Sequence, residues 1–243
     1  MGRTPRSGHR ANHRPQAKQT IVPDRSSAPH AAPAREQREP RVLIGATFFN
    51  GAASRAQLPE SGPPEIAFAG RSNAGKSSAI NALANRTRLA FASRTPGRTR
   101  QINFFQLASG GYIADLPGYG YAAVARDVKE SWQQFLWDYV TSRDTLVGLV
   151  VVVDARHGIK PLDVVLLERF VASGRPLLIL ATKSDKLNVS EQRQAVKSIR
   201  AQVQAQFGPH ARVDVIAFSA TRRTGVIEAD DVLAHWLHLD VSS

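Results

Sequence analysis

Short apolar runs alternate along the chain with longer stretches whose apolar residues recur at helical spacing. The apolar runs predict six strands, at residues 65–69, 101–107, 111–115, 146–154, 176–181 and 214–218. Helical spacing predicts five helices, at residues 77–84, 131–140, 162–170, 188–205 and 224–237. This order is typical of a three-layer α/β domain, in which helices cover both faces of a sheet.

The directions of the strands follow from the connections between them. Residues 109–111 form a turn between two predicted strands that is too short for a crossover, so this pair must contain an antiparallel strand. The valine-rich run at residues 146–153 favours a parallel strand buried on both faces. We therefore expect a six-stranded, mostly parallel sheet with one antiparallel strand. A shorter apolar stretch at residues 42–49 leads into this domain.

The positive charge of the protein is concentrated in two segments. The 243-residue chain has a formal net charge of +12. Residues 1–41 carry nine Lys or Arg against three Asp or Glu, and residues 86–100 carry five Arg and no acid. An acidic partner such as nucleic acid would meet these two segments first.

Composition divides the chain into three parts. Residues 1–41 contain six prolines and almost no large apolar side chains, which predicts a disordered basic tail. This tail is interpreted as an RNA-contacting arm or an inert extension; a transit peptide fits less well, because an apolar face is missing. Residues 42–63 form a lead-in segment, and residues 64–240 form the folded domain.

The location of the protein is predicted from what the sequence lacks. The chain has no cysteine, and its longest apolar run, residues 146–153, is far too short to span a bilayer. Its N-terminus has no apolar core of a signal peptide. We therefore expect a cytoplasmic protein with no membrane partner. As a separate expectation, the protein acts as a monomer.

Residues 70–78, GRSNAGKSS, carry the phosphate-loop pattern G-x-x-x-x-G-K-S/T between a predicted strand and a predicted helix. Glycines let successive backbone N–H groups converge on phosphate oxygens, and the helix directs its positive end at the same anion. Lys76 would reach the outer phosphates, and the Ser77 hydroxyl would ligate Mg²⁺. The predicted phosphate-binding residues are Gly70, Arg71, Ser72, Asn73, Ala74, Gly75, Lys76 and Ser77.

The strand predicted at residues 111–115 ends in a carboxylate and continues as Leu-Pro-Gly. In phosphate-loop proteins such a carboxylate holds Mg²⁺ through water, and the glycine N–H senses the γ-phosphate. The pattern D-x-x-G is weak alone but strong at a strand end about 40 residues after a phosphate loop. The residues assigned to this part of the site are Asp115, Leu116, Pro117 and Gly118.

The arginine-rich segment 86–100 lies between the first predicted helix and the next strand, where nucleotide triphosphatases have their first switch segment. Thr99 would supply a second protein ligand to Mg²⁺ when a γ-phosphate is present. Its neighbours Gly97, Arg98, Arg100 and Gln101 would line the same nucleotide. The alternative is a solvated loop whose arginines only aid solubility.

The segment TKSD follows a buried strand, where a base-recognition loop belongs. Asp185 would accept hydrogen bonds from guanine N1–H and the N2 amine, whereas the N1 acceptor of adenine would leave this carboxylate unpaired. The stem of Lys183 would pack along the base. The full base-binding set is Thr182, Lys183, Ser184 and Asp185, with Phe218, Ser219 and Ala220 after the last strand.

Taken together, these motifs resemble the EngB (YihA/YsxC) family of bacterial GTPases, in the translation-factor class. The resemblance is carried by EIAFAGRSNAGKSSAINAL, TPGRTRQINFF, IADLPGYGYA, VVVDARHGIKPLD and TKSDKL, and it runs from about Leu58 to the end of the chain. It implies a phosphate-loop GTPase domain that binds GTP and GDP.

The resemblance also implies a cellular role. A protein of this family is expected to assist assembly of the large ribosomal subunit, with its RNA and proteins as partners, and to be needed for cell division and septation. It further implies Mg²⁺ held by Ser77 and Thr99. In related potassium-dependent GTPases an asparagine placed like Asn73 helps to hold K⁺, which makes Asn73 a candidate ligand for that ion.

Two positions depart from the general GTPase pattern. Thr182 replaces the asparagine of N-K-x-D, so we expect modest affinity for the base. Tyr119 stands where many GTPases carry a glutamine that orients water, and a phenol cannot do this in the same way. We therefore expect slow intrinsic hydrolysis, by direct attack of water, with Lys76, Thr99 and Gly118 as the catalytic groups.

Two other classes of function remain compatible with the sequence. The protein could be an RNA- or ribosome-docking module in which the nucleotide is mainly structural, an alternative that the arginine-rich segment motivates. It could also be a phosphate-loop kinase that uses ATP, although Asp185 argues against adenine.

Overall fold

A computed structural model describes residues 41–91, 101–119, 126–208 and 211–239, without the side chains of residues 126–132. The strands are β1 (Thr47–Ala52), β2 (Glu65–Gly70), β3 (Ile102–Gln106), β4 (Tyr112–Asp115), β5 (Leu146–Asp154), β6 (Leu177–Thr182) and β7 (Val213–Ala217). The α-helices are α1 (Lys76–Leu83), α2 (Arg126–Ser142), α3 (Pro161–Val171), α4 (Val189–Phe207) and α5 (Val226–Trp236). Short 3-10 helices occur at Arg55–Gln57 and Ser184–Lys186.

The strands form one mixed sheet in the order β1-β3-β4-β2-β5-β6-β7. Strand β3 is antiparallel to both of its neighbours, β1 and β4, while all the other neighbouring pairs are parallel. The predicted α/β fold with one antiparallel strand is therefore confirmed. The predicted number of six strands is wrong, because the segment that leads into the domain contains β1.

Strand β1 escaped prediction because its sequence, TFFNGA, does not alternate between apolar and polar residues. The register shifts between Phe48 and Asn50, so Phe49 lies in a bulge. The strand is also at the edge of the sheet, where fewer of its side chains are buried. Both features remove the period-2 pattern on which a strand prediction depends.

The core lies on both faces of the sheet, as expected for three layers. On one face the apolar side chains of α1 and α5 pack on β2, and on the other face α2, α3 and α4 pack on the same strand and on β5. Adjacent residues of β2 alternate between the two clusters, with Phe68 in the first and Ala67 and Ala69 in the second. No helix in the described ranges has the length and apolar character needed to cross a bilayer.

The segment before β1 is held by a buried carboxylate on α5. Asp230 accepts hydrogen bonds from the backbone N–H groups of Arg41, at 3.0 Å, and Val42, at 2.8 Å. Burial raises the pKa of Asp230, and the two backbone donors oppose that rise. Val42 and Leu43 are themselves buried against α1 and α5, so this segment contributes to the core.

A second buried carboxylate, Glu65, stabilises the end of the sheet opposite the phosphate loop. Its Oε1 atom accepts from Thr145 Oγ1, at 2.7 Å, and from the Arg143 guanidinium. Its Oε2 atom accepts from the Tyr139 hydroxyl at 2.7 Å. Burial and the neighbouring Glu65 charge raise the pKa of Tyr139 well above its usual value, so this phenol stays a hydrogen-bond donor.

Replacing Tyr139 by Phe should lower the free energy of unfolding by about 1.5–3 kcal/mol, because a buried carboxylate oxygen loses its donor. Guanidinium chloride unfolding would measure the change. Tyr112→Phe is the matched control, since it removes a hydroxyl for which the described residues provide no hydrogen bond, and it should change stability by less than about 0.5 kcal/mol. Equal unfolding midpoints for the two variants would contradict the role assigned to Tyr139.

Candidate nucleotide-binding site

The phosphate loop connects the end of β2 to the start of α1, as its sequence predicts. Gly75 precedes α1 with φ of 100°, a backbone conformation that favours glycine. Asn73 also has a positive φ, of 64°, which asparagine tolerates better than most residues. At Gly70 a Cβ atom would lie 2.8 Å from the Val152 carbonyl oxygen, so only glycine fits this close approach to β5.

The segment after β4 runs alongside the phosphate loop. The Tyr119 N–H donates to the Gly70 carbonyl at 3.3 Å, and the Tyr119 carbonyl accepts from the Ser72 N–H at 3.2 Å. Gly118 is so close to the loop that a Cβ atom on it would lie 3.1 Å from Ser72 Oγ. The backbone therefore joins the two predicted halves of the phosphate site.

Lys76 and Asp115 form an ion pair between these two halves. Burial raises the pKa of Asp115, and this rise is opposed by the charge and hydrogen bond of Lys76 and by a hydrogen bond from Asn103. A carboxylate in this environment favours a nearby cation. The half-buried Ser77 is the next residue of α1 after Lys76.

The base-recognition loop is tied to the phosphate loop by two side chains. The Thr182 hydroxyl lies 2.5 Å from the Ala74 carbonyl oxygen and 3.0 Å from the Val153 carbonyl oxygen. Lys183 Nζ donates to the Asn73 carbonyl at 2.7 Å. Residues that are about 110 positions apart in the sequence thus form one surface.

Asp154, which the sequence analysis did not identify, holds Lys183 in this position. Its Oδ2 atom lies 3.0 Å from Lys183 Nζ and 2.7 Å from Arg156 Nη2. Burial tends to raise the pKa of Asp154, but the hydrogen bonds from Arg156 and Lys183 outweigh it and hold the pKa below its usual value. The available signal was its place at the carboxyl end of β5, the edge where α/β sheets bind ligands.

Asp185 is positioned by the loop after β7. Ser219 Oγ donates to Asp185 Oδ1 at 2.7 Å, and this bond is the main cause of a pKa below the usual value for aspartate. The backbone supports the arrangement, because the Ser184 N–H donates to the Phe218 carbonyl at 3.1 Å. Asp185 is therefore an ionised acceptor beside the backbone of Ser219 and Ala220.

The Tyr119 hydroxyl is engaged by a carboxylate of α3. The hydroxyl donates to Asp163 Oδ1 at 2.7 Å, and Asp163 Oδ2 accepts from the Lys160 N–H at 2.8 Å at the start of α3. Burial, followed by the charge and hydrogen bond of Asp163, raises the pKa of Tyr119 far above its usual value. Tyr119 thereby links the segment after β4 to the start of α3, an interaction that the sequence did not predict.

Most of the predicted site residues are brought together at the carboxyl ends of β2, β4, β6 and β7. These are residues 70–77, 115–118, 182–185 and 218–220. Gln101 is connected to this set through Asn103, to which it donates and which in turn hydrogen-bonds Asp115, and it packs over Gly51 of β1. Gly97, Arg98, Thr99 and Arg100 lie outside the described residues.

A cavity of about 250 Å³ adjoins the phosphate loop on the side of β5 and α3. Its walls include Arg71, Asn73, Asp154, His157 and Asp163. Lys76 and Asp115 do not line it, so this cavity lies beside the predicted phosphate position.

Comparison with known proteins assigns the chain to a family. A sequence model for the 50S ribosome-binding GTPase family matches residues 65–183. The probable GTP-binding protein EngB of Dechloromonas aromatica is 46% identical over 196 residues, which cover 81% of this chain and 89% of that protein. The probable GTP-binding protein EngB of Laribacter hongkongensis is 48% identical, over 80% of this chain and 86% of that protein.

Solved structures support the fold. A probable GTP-binding protein EngB superposes with a TM-score of 0.55 at 21% identity, over 72% of this chain and 99% of that one. Era, in complex with MgGDPNP and nucleotides of 16S ribosomal RNA, superposes with a TM-score of 0.54 at 18% identity, over 71% of this chain and 56% of that one. These likenesses concern the fold, whereas the sequence identities above concern the family. The chain belongs to the EngB family of GTP-binding proteins.

Proposed function

We propose that the surface formed by the phosphate loop, the segment after β4 and the base-recognition loop binds GTP and GDP. The observation that carries this proposal is the Asp185 carboxylate, ionised and held by Ser219 at the end of a surface that begins with Lys76. In the proposed arrangement residues 70–77 bind the phosphates and residues 115–118 and 97–101 border them. Residues 182–185 and 218–220 bind the base.

The residues present fit Mg²⁺, because they provide hard oxygen donors beside the phosphate loop. Ser77 and Thr99 would ligate the ion directly, and Asp115 would hold it through water. The buried environment of Asp115, which favours a neighbouring cation, supports this assignment. When bound, Mg²⁺ would neutralise charge on the phosphates.

The proposed reaction is attack of water on the γ-phosphate with cleavage of its bond to the β–γ bridging oxygen, which releases GDP and inorganic phosphate without a covalent enzyme intermediate. Lys76 stabilises the charge on the phosphoryl group. Thr99 and the Gly118 N–H contact the γ-phosphate and so distinguish GTP from GDP. Tyr119 does not orient the water, because its hydroxyl is engaged by Asp163. The protein alone should therefore hydrolyse GTP well below about one turnover per second, and a faster steady-state rate would refute this part of the proposal.

Thr182→Val tests the connection between the two loops, since valine keeps the shape of threonine but has no hydroxyl to donate to Ala74. We expect GDP affinity, measured with a fluorescent GDP analogue, to fall about 10-fold, or about 1.4 kcal/mol. Thr182→Ser retains the hydroxyl and should bind within about threefold of the wild type. Equal affinities for the valine and serine variants would show that the hydroxyl has no such role.

Asn73 is the proposed ligand of a monovalent cation. Its positive φ and exposed side chain leave the amide available, while its backbone carbonyl accepts from Lys183. K⁺ should then accelerate GTP hydrolysis by at least about 10-fold over Na⁺ at equal ionic strength. In the Asn73→Gly variant the rates in K⁺ and Na⁺ should be equal, and glycine tolerates the same positive φ. Identical rates in the two salts for the wild type would rule out the cation site.

We also propose that the protein assists assembly of the large ribosomal subunit in the cytoplasm, as a monomer, and that cell division and septation require it. The match to the 50S ribosome-binding GTPase family and the net charge of +12 support this role. Depletion of the protein should make large-subunit precursors accumulate in sucrose gradients before septation is impaired. A normal subunit profile in depleted cells would contradict the role.

A second candidate function is a ribosome-docking module in which the nucleotide mainly stabilises the fold. The arginines that follow α1 favour it, because they could contact RNA in any nucleotide state. This alternative predicts equal ribosome affinity with GDP and with a GTP analogue.

A further inference from the structure

A basic surface forms where three segments of the chain meet near the end of α1. Arg223 Nη1 donates to Asn85 Oδ1 at 3.0 Å, and Arg86 Nη1 donates to the Ala46 carbonyl at 3.1 Å. These contacts bring together the loop after α1, the turn before β1 and the turn between β7 and α5. We define the α1-end surface by its exposed residues Ile44, Phe48, Arg86, Arg88, Phe91, Arg222 and Arg223.

The loop after α1 is held in a shape that exposes Arg88 and Phe91. Asn81 Oδ1 accepts from the backbone N–H groups of Leu89 and Ala90, both at 2.8 Å, and Asn81 Nδ2 donates to the Ala90 carbonyl at 2.9 Å. Leu89 and Ala90 are consequently buried, while Phe91 is 71% exposed. The exposure of Phe91 thus results from a defined fold of the preceding residues.

Large apolar side chains accompany the arginines. Phe48 is 58% exposed and Ile44 is 40% exposed. The Phe48 ring is oriented by edge contact with Phe105, at 6.0 Å between ring centroids. Phe105, Leu89 and Ala90 all belong to the core cluster on the face of the sheet covered by α1 and α5, so Phe48 and Phe91 both border that face. Exposed aromatic rings grouped with charges of one sign mark an interaction surface.

The chemistry of this surface fits RNA with unpaired bases. Arginine guanidinium groups bind phosphates, and aromatic rings stack on bases that are not stacked in a duplex. Within the described ranges no ion pair involves Arg86, Arg88 or Arg222, so their charges are available to an anion. We propose that the α1-end surface binds a single-stranded segment of RNA. The inference rests on the ribosomal role proposed above and names the surface that would meet the RNA.

Fluorescence anisotropy with a labelled 12-nucleotide single-stranded RNA of adenines and uridines would test this proposal on the full chain. The double variant Arg88→Gln/Arg222→Gln should reduce the slope of log K against log salt by about 1.4, which corresponds to two lost phosphate contacts. Phe91→Ser should weaken binding about 5- to 100-fold without changing that slope. The matched control is Arg193→Gln/Arg212→Gln, with the same change of charge at exposed positions elsewhere.

GDP affinity should be unchanged in all these variants, which separates RNA binding from the nucleotide site. The proposal is overturned if Arg88→Gln/Arg222→Gln binds RNA like the control variant, or if duplex RNA binds more tightly than the single strand. It is also overturned if the variants keep RNA affinity but lose sedimentation with the large subunit, because the surface would then contact a protein. If the wild type sedimented with the large subunit but had no affinity for the single-stranded RNA, this inference would be rejected and the proposed ribosomal role would remain.

Discussion

Asp185→Asn is expected to lower the affinity for GTP and GDP by roughly 30- to 1000-fold and to raise the affinity for xanthosine nucleotides. Asp185 is an ionised acceptor, with its side chain 12% exposed and its pKa lowered chiefly by Ser219. A carboxylate accepts from both guanine N1–H and the N2 amine. Asparagine has a single acceptor and a donor, and this pair matches the N1–H and C2 carbonyl of xanthine.

Competition of GTP, ATP and xanthosine triphosphate against a fluorescent GDP analogue would measure this change. Asp214→Asn is the control, because it neutralises an exposed carboxylate near the start of β7. This position is at the end of the sheet opposite the base-recognition loop. Preference of the wild type for ATP would instead favour a kinase. If Asp185→Asn kept the preference for guanine over xanthine nucleotides, the base would have to bind elsewhere on the surface.

Lys76→Ala is expected to slow GTP hydrolysis at saturating nucleotide by at least about 100-fold. The reason is that the fixed positive charge of Lys76, placed beside the transferred phosphoryl group, stabilises the transition state more than the ground state. Lys76 has an additional role in the free protein, since its ammonium compensates the buried Asp115 carboxylate. Without Lys76 the pKa of Asp115 should rise further.

Single-turnover hydrolysis and equilibrium binding of the GDP analogue would separate the two effects of Lys76→Ala. The loss of rate should exceed the loss of affinity. Lys197→Ala, at an exposed position of α4, is the control and should change neither quantity. Hydrolysis at saturating GTP within about threefold of the wild type would exclude Lys76 from the chemistry.

The sequence was sufficient for the parts of the fold that have strong periodicity. The buried parallel strands β5 and β6 appear as continuous apolar runs, and apolar residues at helical spacing predicted α4. Strand β1 could not be predicted, because its bulge at Phe49 and its edge position remove the alternation. The start of α2 was also not predicted, because residues 126–130, RDVKE, have little apolar periodicity.

In the candidate site, too, some features could be predicted from sequence patterns and others depend on packing. Motifs with fixed spacing predicted the residues that meet at the carboxyl edge of the sheet. Sequence spacing could not predict that Asp154 would hold Lys183, because this pair depends on the register between β5 and β6. Nor could it predict that Asp163 would accept from the Tyr119 hydroxyl, because that bond depends on how α3 packs against the segment after β4. A carboxylate at a strand end indicates the correct region but does not specify its partner.

The most direct measurement is sedimentation of the purified protein with isolated large and small ribosomal subunits, without nucleotide, with GDP and with a non-hydrolysable GTP analogue. A guanine-nucleotide switch for the large subunit should sediment with that subunit when the GTP analogue is bound, and much less with GDP. A steep loss with salt would further indicate contact through the basic segments. Equal binding in all nucleotide states would contradict the switch and favour the docking module.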